Sequence, residues 1–211
     1  FSWMAGYPSS YSSSLYILKQ LGKLNSWLKN TPNEYQSTEQ NEMVGRLIRF
    51  VDQELNRYFE VNKGNAWSNF ALDYLDTRNY WESQYPLSGN GKFLKNLVVQ
   101  KAKKAEIEDF SFFGLHRAAL LFNDYGLKEL SKKLMTYLKE TSVESDNQGA
   151  YWKSNIDNWG WYNSQLVNHA GALEAFEKLG NDQKFVEEMK IWLITQKEVS
   201  HWDTSRSTAE V

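Results

Sequence analysis

Two kinds of helical segment alternate along this chain, and that alternation is the strongest constraint on its fold. Between Thr38 and Phe59 the apolar residues form one stripe and charged residues lie opposite, as in a helix with one solvated face. Ile107 to Tyr125 and Leu166 to Leu179 are apolar on nearly every side, so neighbours must cover them. The same reasoning predicts inner helices at Tyr11 to Leu28 and Trp67 to Arg78, and outer, one-faced helices at Lys92 to Ala105, Leu127 to Leu138 and around Phe185 to Leu193. We therefore predict an all-α fold.

Short turns between these segments predict antiparallel helical hairpins whose buried members form an inner layer. Gly22, Gly126 and Gly180 mark the ends of inner helices and suggest a unit of about fifty residues. At Gly126 and Gly180 we expect the left-handed C-terminal turn that glycine favours. Hairpins of this kind close into an α/α toroid or remain an open solenoid, and periodicity alone does not distinguish the two.

One segment is not expected to be helical. Aromatic residues crowd Gly149 to Lys153 and Trp159 to Tyr162, and the polar stretch from Ser154 to Asn158 between them suits a turn. This pattern predicts one short β-hairpin near residues 149–162.

The ends of the sequence suggest a segment of a larger protein. The first residue is Phe1 rather than methionine, and no signal peptide is recognisable. Thr204 to Val211 is typical of the opening of another inner helix that stops after one or two turns. We therefore expect residues 1–211 to form a single partial domain excised from a longer chain.

Several short motifs make the sequence similar to a known family. The opening combines Phe1-Ser-Trp3 with Gly6, Tyr16-Ile17 and Leu21-Gly22, and a middle group combines Tyr151-Trp152-Lys153, Trp159 to Tyr162 and Glu174-Ala175-Phe176. The most specific stretch runs from Met189-Lys190-Ile191-Trp192-Leu193 through Gln196-Lys197, Trp202, Thr204 and Arg206 to Thr208-Ala209-Glu210. Together these motifs resemble the thioester-type domain of bacterial alpha-2-macroglobulin proteins.

The resemblance implies an α/α toroid inside a large secreted or cell-envelope protease inhibitor. In that family, cleavage of a bait segment triggers collapse around the protease, and many members then capture it through a Cys-Gly-Glu-Gln thioester. This chain contains no cysteine, so it has no thioester residue. It also departs from the family at Leu166-Val167-Asn168-His169, where a Glu-Thr-Gln-like run is expected. The implied partners are other domains of the parent chain and the target proteases.

An α/α toroid enzyme acting on polysaccharide is the alternative, and it would need two carboxylates at a set separation. The carboxylates near inner-helix ends are Asp73, Asp76, Asp157, Glu174 and Glu210. We interpret each as a solvated cap or surface charge, because charged side chains are mostly exposed. His116, His169 and His201 are the only histidines, and no pair has metal-ligand spacing on one helix. For His116 and His169 we expect a buried, hydrogen-bonded role. We predict no catalytic residue, metal or cofactor.

Nine tryptophans raise the possibility of a carbohydrate platform. The weak candidates for such a binding site stand at the starts of inner helices, and they are Trp3, Trp67, Trp159, Trp161 and Trp202. We favour a packing role for them and for Trp152, since each indole buries roughly 150–250 Å². The net charge of -2 and the absence of a long apolar run argue against nucleic-acid binding and membrane contact. A plain helical interaction module is the third possibility.

Overall fold

A computed structural model describes residues 6–31, 37–62, 66–155, 164–197, 202 and 205–211 of the chain. It is 73% helix and 3% strand, with one two-stranded antiparallel sheet, which confirms the all-α prediction with a single short hairpin. None of the helices in those residues has the length and apolarity needed to cross a membrane. The chain divides into two compact units, Phe1–Lys103 and Lys104–Val211, which we call unit 1 and unit 2.

Four α-helices lie in the described part of unit 1: α1 (Tyr11–Leu28), α2 (Thr38–Asn62), α3 (Asn69–Asn79) and α4 (Gly89–Ala102). Helices α2 and α4 bury one stripe each, as predicted, and α3 is buried along most of its length. Helix α1 was predicted to be covered on most sides, and this is wrong for its C-terminal half. It contacts α2 and α3, and Leu24 and Trp27 on its other side are exposed.

Unit 2 contains α5 (Phe112–Asp124), α6 (Lys128–Glu140), α7 (Gln165–Leu179), α8 (Gln183–Thr195) and α9 (Ser205–Glu210). The predicted alternation is confirmed here. Most residues of α5 are buried, and all but two residues of α7 are buried or half-buried, whereas α6 and α8 bury one stripe each. Consecutive helices in the pairs α5–α6 and α7–α8 pack on each other across three-residue connections, so each pair is an antiparallel hairpin.

Serine side chains begin five of these helices. The hydroxyl oxygens of Ser10, Ser37, Ser68, Ser111 and Ser164 each accept a hydrogen bond from the backbone N–H three residues later, at 3.0–3.3 Å. Such a cap satisfies one of the N–H groups that the first helical turn leaves unpaired.

Three local expectations need correction. Residues 107–125 do not form one helix: a 3₁₀ turn at Ile107–Asp109 is followed by Phe110 in extended conformation, because the side chain of Ser111 caps a new helix start. Gly126 has the predicted left-handed conformation (φ 77°), but Gly180 does not (φ -84°), because the chain passes directly into α8. Gly22 lies inside α1, where an added Cβ would come within 2.6 Å of the Tyr80 side chain.

The β-hairpin forms slightly earlier in the chain than expected. Strand β1 (Val143–Ser145) pairs with β2 (Gly149–Tyr151), so the predicted first arm is in fact the second strand. Residues 145–149 make the turn because they are polar and end in Gly149, whose φ of 72° suits glycine. Lys153–Asn155 form a 3₁₀ turn instead of continuing the strand. The predicted arm Trp159 to Tyr162 lies outside the described residues.

Candidate functional site

Trp152 is the centre of an aromatic cluster in unit 2. Its side chain is buried, and its indole Nε1–H donates a hydrogen bond of 2.7 Å to the Leu138 carbonyl. Its ring lies 5.3 Å from that of Phe112, 6.4 Å from Phe176 and 6.3 Å from Phe185, measured between centroids. Since the indole N–H is satisfied and the rings interdigitate, the packing role predicted for Trp152 is confirmed.

His169 lies between Trp152 and Trp192 and is fully buried. Its ring stacks on Trp192 at 4.2 Å and meets Trp152 edge-on at 5.4 Å. The Met189 carbonyl oxygen lies 3.0 Å from Nε2 and can only accept a hydrogen bond. Nε2 therefore carries the hydrogen and is the donor. Burial lowers the pKa of His169 to about 3, so the ring is neutral at physiological pH. A buried, hydrogen-bonded role was predicted for this residue and is confirmed. His116 is buried as well.

Residues 166–169, where the sequence departs from the alpha-2-macroglobulin pattern, lie in this core. Leu166, Val167 and Asn168 are as buried as His169. The Asn168 amide donates to the Asn155 side chain at 2.9 Å, and Asn155 in turn donates to the Gln165 carbonyl at 2.7 Å. These four residues therefore hold α7 in place, and none of them offers a surface group.

Trp202 connects α8 to α9 through two hydrogen bonds. Its Nε1–H donates to the Leu193 carbonyl at 3.1 Å, and its backbone N–H donates to the Thr208 hydroxyl at 3.2 Å. The ring packs on Leu166, Trp192 and Leu193. Trp67 is half-buried before α3 in unit 1, and Trp3, Trp159 and Trp161 lie outside the described residues. Of the five predicted platform residues, the structure thus describes two, which lie in different units.

Three of the predicted carboxylates form ion pairs. Glu174 pairs with Lys178 at 2.6 Å, and Glu210 lies 3.9 Å from Arg206. Asp76 pairs with Lys19 at 2.5 Å and is buried, so the surface interpretation is wrong for this residue: its side chain faces α1 across the helix pair. Asp73 is half-buried on α3, and Asp157 lies outside the described residues. In the part of the chain that the structure describes, no group of three metal-ligating side chains is present.

A buried polar network in unit 1 was not predicted. Arg78 is 1% exposed, and its Nε–H donates to Asp52 Oδ1 at 3.0 Å while Nη2 donates to the Tyr85 carbonyl at 3.0 Å. The Tyr74 hydroxyl donates to the same Asp52 oxygen at 2.7 Å. Burial and the Asp52 carboxylate raise the pKa of Tyr74 above its usual value. The sequence contained one signal of this network. Arg78 lies in a segment that was predicted to be a buried helix, and a buried charge requires a partner.

A hollow of about 570 Å³ lies in unit 2 beside α6. Its floor contains Met135, Phe176 and Leu179, and its rim carries lysine, glutamate and aspartate side chains. Lys139 and Asp182 on that rim pair with each other, and this hydrogen bond lowers the pKa of Asp182. Because charges of both signs alternate and pair, the hollow presents no single-sign field.

The chain matches no protein-family model, and no curated protein matches it either.

Proposed function

We propose that this chain is part of an α/α-toroid domain of an alpha-2-macroglobulin-like protease inhibitor, secreted or held at the cell envelope. In this proposal the domain is not catalytic. It acts by packing against neighbouring domains of the parent protein, which encloses a protease after a bait segment is cut.

One observation carries the proposal: several residues of the resemblance in unit 2 pack together. Tyr151 stacks on Trp192 at 6.3 Å, Trp192 lies in the cluster that Trp202 covers, and Trp202 binds the backbone of Leu193 and the side chain of Thr208. Residues more than fifty positions apart in the sequence therefore form one structural element. This supports the resemblance, since motifs that match by chance have no reason to meet in space.

The carboxylates lend no specific support to the polysaccharide-degrading alternative. A glycosidase requires one carboxyl group that holds a proton and one that stays ionised near it. Asp76, Glu174 and Glu210 each form an ion pair with a lysine or arginine side chain, and Asp76 lies in a different unit from the other two.

The test uses the full-length natural protein that contains these residues, incubated with trypsin, chymotrypsin or elastase. Residual protease activity is measured on azocasein and on a small chromogenic peptide. We expect azocasein cleavage to fall at near-stoichiometric ratios while peptide cleavage persists, because an enclosed protease still admits small substrates. Native gel mobility should increase as the parent protein collapses.

A Trp202→Ala variant of the same protein serves as the structural comparison and Trp202→Phe as its conservative partner. We expect the alanine variant to lose protection of azocasein and the phenylalanine variant to keep most of it. Equal cleavage of both substrates at every ratio would contradict the proposal. Turnover of a polysaccharide that Asp73→Asn or Glu174→Gln abolishes would favour the enzyme instead.

A further inference from the structure

Two neighbouring hollows lie along one side of α2 in unit 1. The first, of about 480 Å³, we call the polar hollow, and it is lined by Thr38, Asn41, Glu42, Gly45, Arg46, Arg49 and Tyr85. The second, of about 400 Å³, we call the apolar hollow, and it is lined by Ser9, Met43, Arg46, Leu47 and Phe50. Arg46 lines both, so the two hollows adjoin at this side chain.

The period of the α-helix explains this arrangement. At 3.6 residues per turn, Gly45 and Arg49 lie on one face of α2, and Met43, Leu47 and Phe50 lie on the next face round. Arg46 falls between the two faces. A ligand that touches both hollows therefore has Arg46 at its middle, with polar groups to one side and apolar groups to the other.

Gly45 forms the floor of the polar hollow. A Cβ added at this residue would lie 3.7 Å from Arg49 Nη1 and 3.7 Å from the Tyr85 hydroxyl oxygen. Both side chains therefore reach over a glycine whose missing side chain leaves the space open. Glycine destabilises a helix interior relative to alanine, so local stability does not explain its presence.

The guanidinium groups at the polar hollow have unused donors. Arg49 is exposed and forms no ion pair or hydrogen bond with any residue that the structure describes. Arg46 lies 4.0 Å from Glu42, and both side chains are 66% exposed. An exposed pair at that distance contributes little, so Arg46 can exchange this partner at small cost. The Tyr85 hydroxyl donates to the Asn41 carbonyl at 3.3 Å and forms a wall of the hollow.

We propose that the two hollows form one binding site for an amphipathic carboxylate. The carboxylate group lies in the polar hollow, where Arg49 and Arg46 donate to its two oxygens. The apolar part of the ligand covers Met43, Leu47 and Phe50. A guanidinium fork matches the planar carboxylate, and Glu42 at the rim disfavours the higher charge of a phosphate dianion.

The test is an NMR titration of the ¹⁵N-labelled chain, with the Gly45 backbone amide as the reporter. The probes are 3-phenylpropionate, acetate, 3-phenylpropan-1-ol and 3-phenylpropylamine. We expect 3-phenylpropionate to shift the Gly45 resonance with a Kd in the millimolar range, as suits a ligand of about eleven heavy atoms. Acetate and the alcohol should each bind at least about tenfold more weakly, because each lacks one half of the ligand. The amine should not bind.

Four variants, each a single substitution on α2, separate this site from general charge effects. Arg49→Gln should weaken 3-phenylpropionate binding about tenfold, which is the usual loss for one charge-assisted hydrogen bond. Gly45→Ala should fold and also bind more weakly, because its Cβ fills the floor. Glu42→Gln should bind more tightly, because it removes the competing carboxylate. Arg57→Gln removes the same charge as Arg49→Gln but lies outside both hollows, so its affinity should be unchanged.

Two further results would overturn the inference. One is a loss of binding in Arg57→Gln equal to that in Arg49→Gln, which would mean that net charge alone attracts the anion. The other is the absence of any shift at Gly45 up to the solubility limit of 3-phenylpropionate. Titration with acetyl-Phe-Gly-Asp-amide identifies the source of the carboxylate. Tighter binding than that of the asparagine analogue indicates an acidic peptide segment, and equal binding of the two peptides indicates a free small acid.

Discussion

Arg78 in unit 1 and His169 in unit 2 are both buried, but by opposite means. In unit 1, Arg78 keeps its charge in the interior and receives a carboxylate, Asp52, and a carbonyl as partners. In unit 2, His169 is held neutral between two indole rings, and its one N–H group donates a hydrogen bond to the Met189 carbonyl. Arg78 thus keeps its charge and has an anionic partner, whereas His169 is held in its uncharged form.

The difference follows from the chemistry of the two side chains. A guanidinium group remains protonated at any accessible pH, so its burial requires an anion and several acceptors. An imidazole group can lose its proton, so apolar surroundings change its pKa and leave one hydrogen bond to satisfy. Unit 1 is therefore sensitive to the loss of single polar groups, and unit 2 to changes in volume and to acid.

The largest effect is expected from Trp152→Ala in unit 2. Trp152 is 1% exposed and contacts four aromatic or imidazole rings, so its removal leaves a large cavity and breaks the buried hydrogen bond to the Leu138 carbonyl. We expect a loss of about 3–5 kcal/mol in the free energy of unfolding, measured by guanidinium titration with circular dichroism. Trp27→Ala is the control, because Trp27 is 64% exposed and should change stability by less than about 0.5 kcal/mol. Similar losses of unfolding free energy in the two variants would contradict the inference that the stability of unit 2 depends on its packed volume.

Gly149→Ala should come next. Gly149 has a φ of 72°, and an added Cβ would lie 2.1 Å from the Glu188 carbonyl oxygen of α8. Left-handed strain and overpacking together should cost about 2–4 kcal/mol. Gly126→Ala has a similar φ of 77° with no atom within 4 Å, so strain alone should cost about 1 kcal/mol. Equal losses of stability in the two variants, measured by thermal unfolding, would show that the close packing of β2 on α8 does not restrict the side chain at residue 149.

In unit 1, Asp52→Ala should destabilise by about 2–3 kcal/mol, because it leaves Arg78 buried without its anion. This is below the usual range for a buried pair, since the Asp52 side chain is 33% exposed. Glu54→Ala on the same helix breaks the exposed pair with Arg57 and should cost less than about 0.5 kcal/mol. Urea titration measures both. The double variant Asp52→Leu with Arg78→Met replaces the ion pair by apolar side chains. If it regains the stability that Asp52→Ala loses, unit 1 also tolerates an apolar core.

The last prediction concerns acid. His169 has a pKa near 3 in the folded chain and near 6.5 when unfolded, so only the unfolded state binds its proton between these values. Stability should therefore fall as the pH drops from about 6.5 towards 3, by up to about 1.4 kcal/mol per pH unit. His169→Gln keeps a donor for the Met189 carbonyl and does not titrate. Its free energy of unfolding, followed from pH 7 to pH 4, should show a slope shallower by that amount. Parallel pH profiles for the two proteins would contradict a neutral His169.

The positions of the helices were predictable from the sequence. Helix α1 was expected at Tyr11 to Leu28 and is found there, and α7 begins one residue before the predicted Leu166. Local causes account for this success. A serine cap acts over three residues, and an apolar stripe repeats every three or four. Such signals are fully contained in the segment that they specify.

The polar partners were not predictable in the same way. Asp76 was interpreted as a surface charge, and its partner Lys19 lies 57 residues away. Arg78 finds Asp52 on another helix, 26 residues earlier. The polar and apolar hollows on α2 were equally invisible, because they depend on Tyr85 and Ser9 from outside that helix. Nothing in the local pattern distinguishes a charge that meets such a partner from one that meets water.

By itself, then, the sequence determined the helical class of the protein, the approximate positions of its helices and which helices are buried in unit 2. Only the tertiary structure decided that Gly180 is extended, that the strand at Gly149 pairs with Val143–Ser145, and that Arg78 is paired with Asp52. The physical reason is the range of the interactions. Helical hydrogen bonds join residues four apart, so they can be read along the chain. Ion pairs, ring stacks and hollows join elements whose meeting depends on the packing of the whole unit.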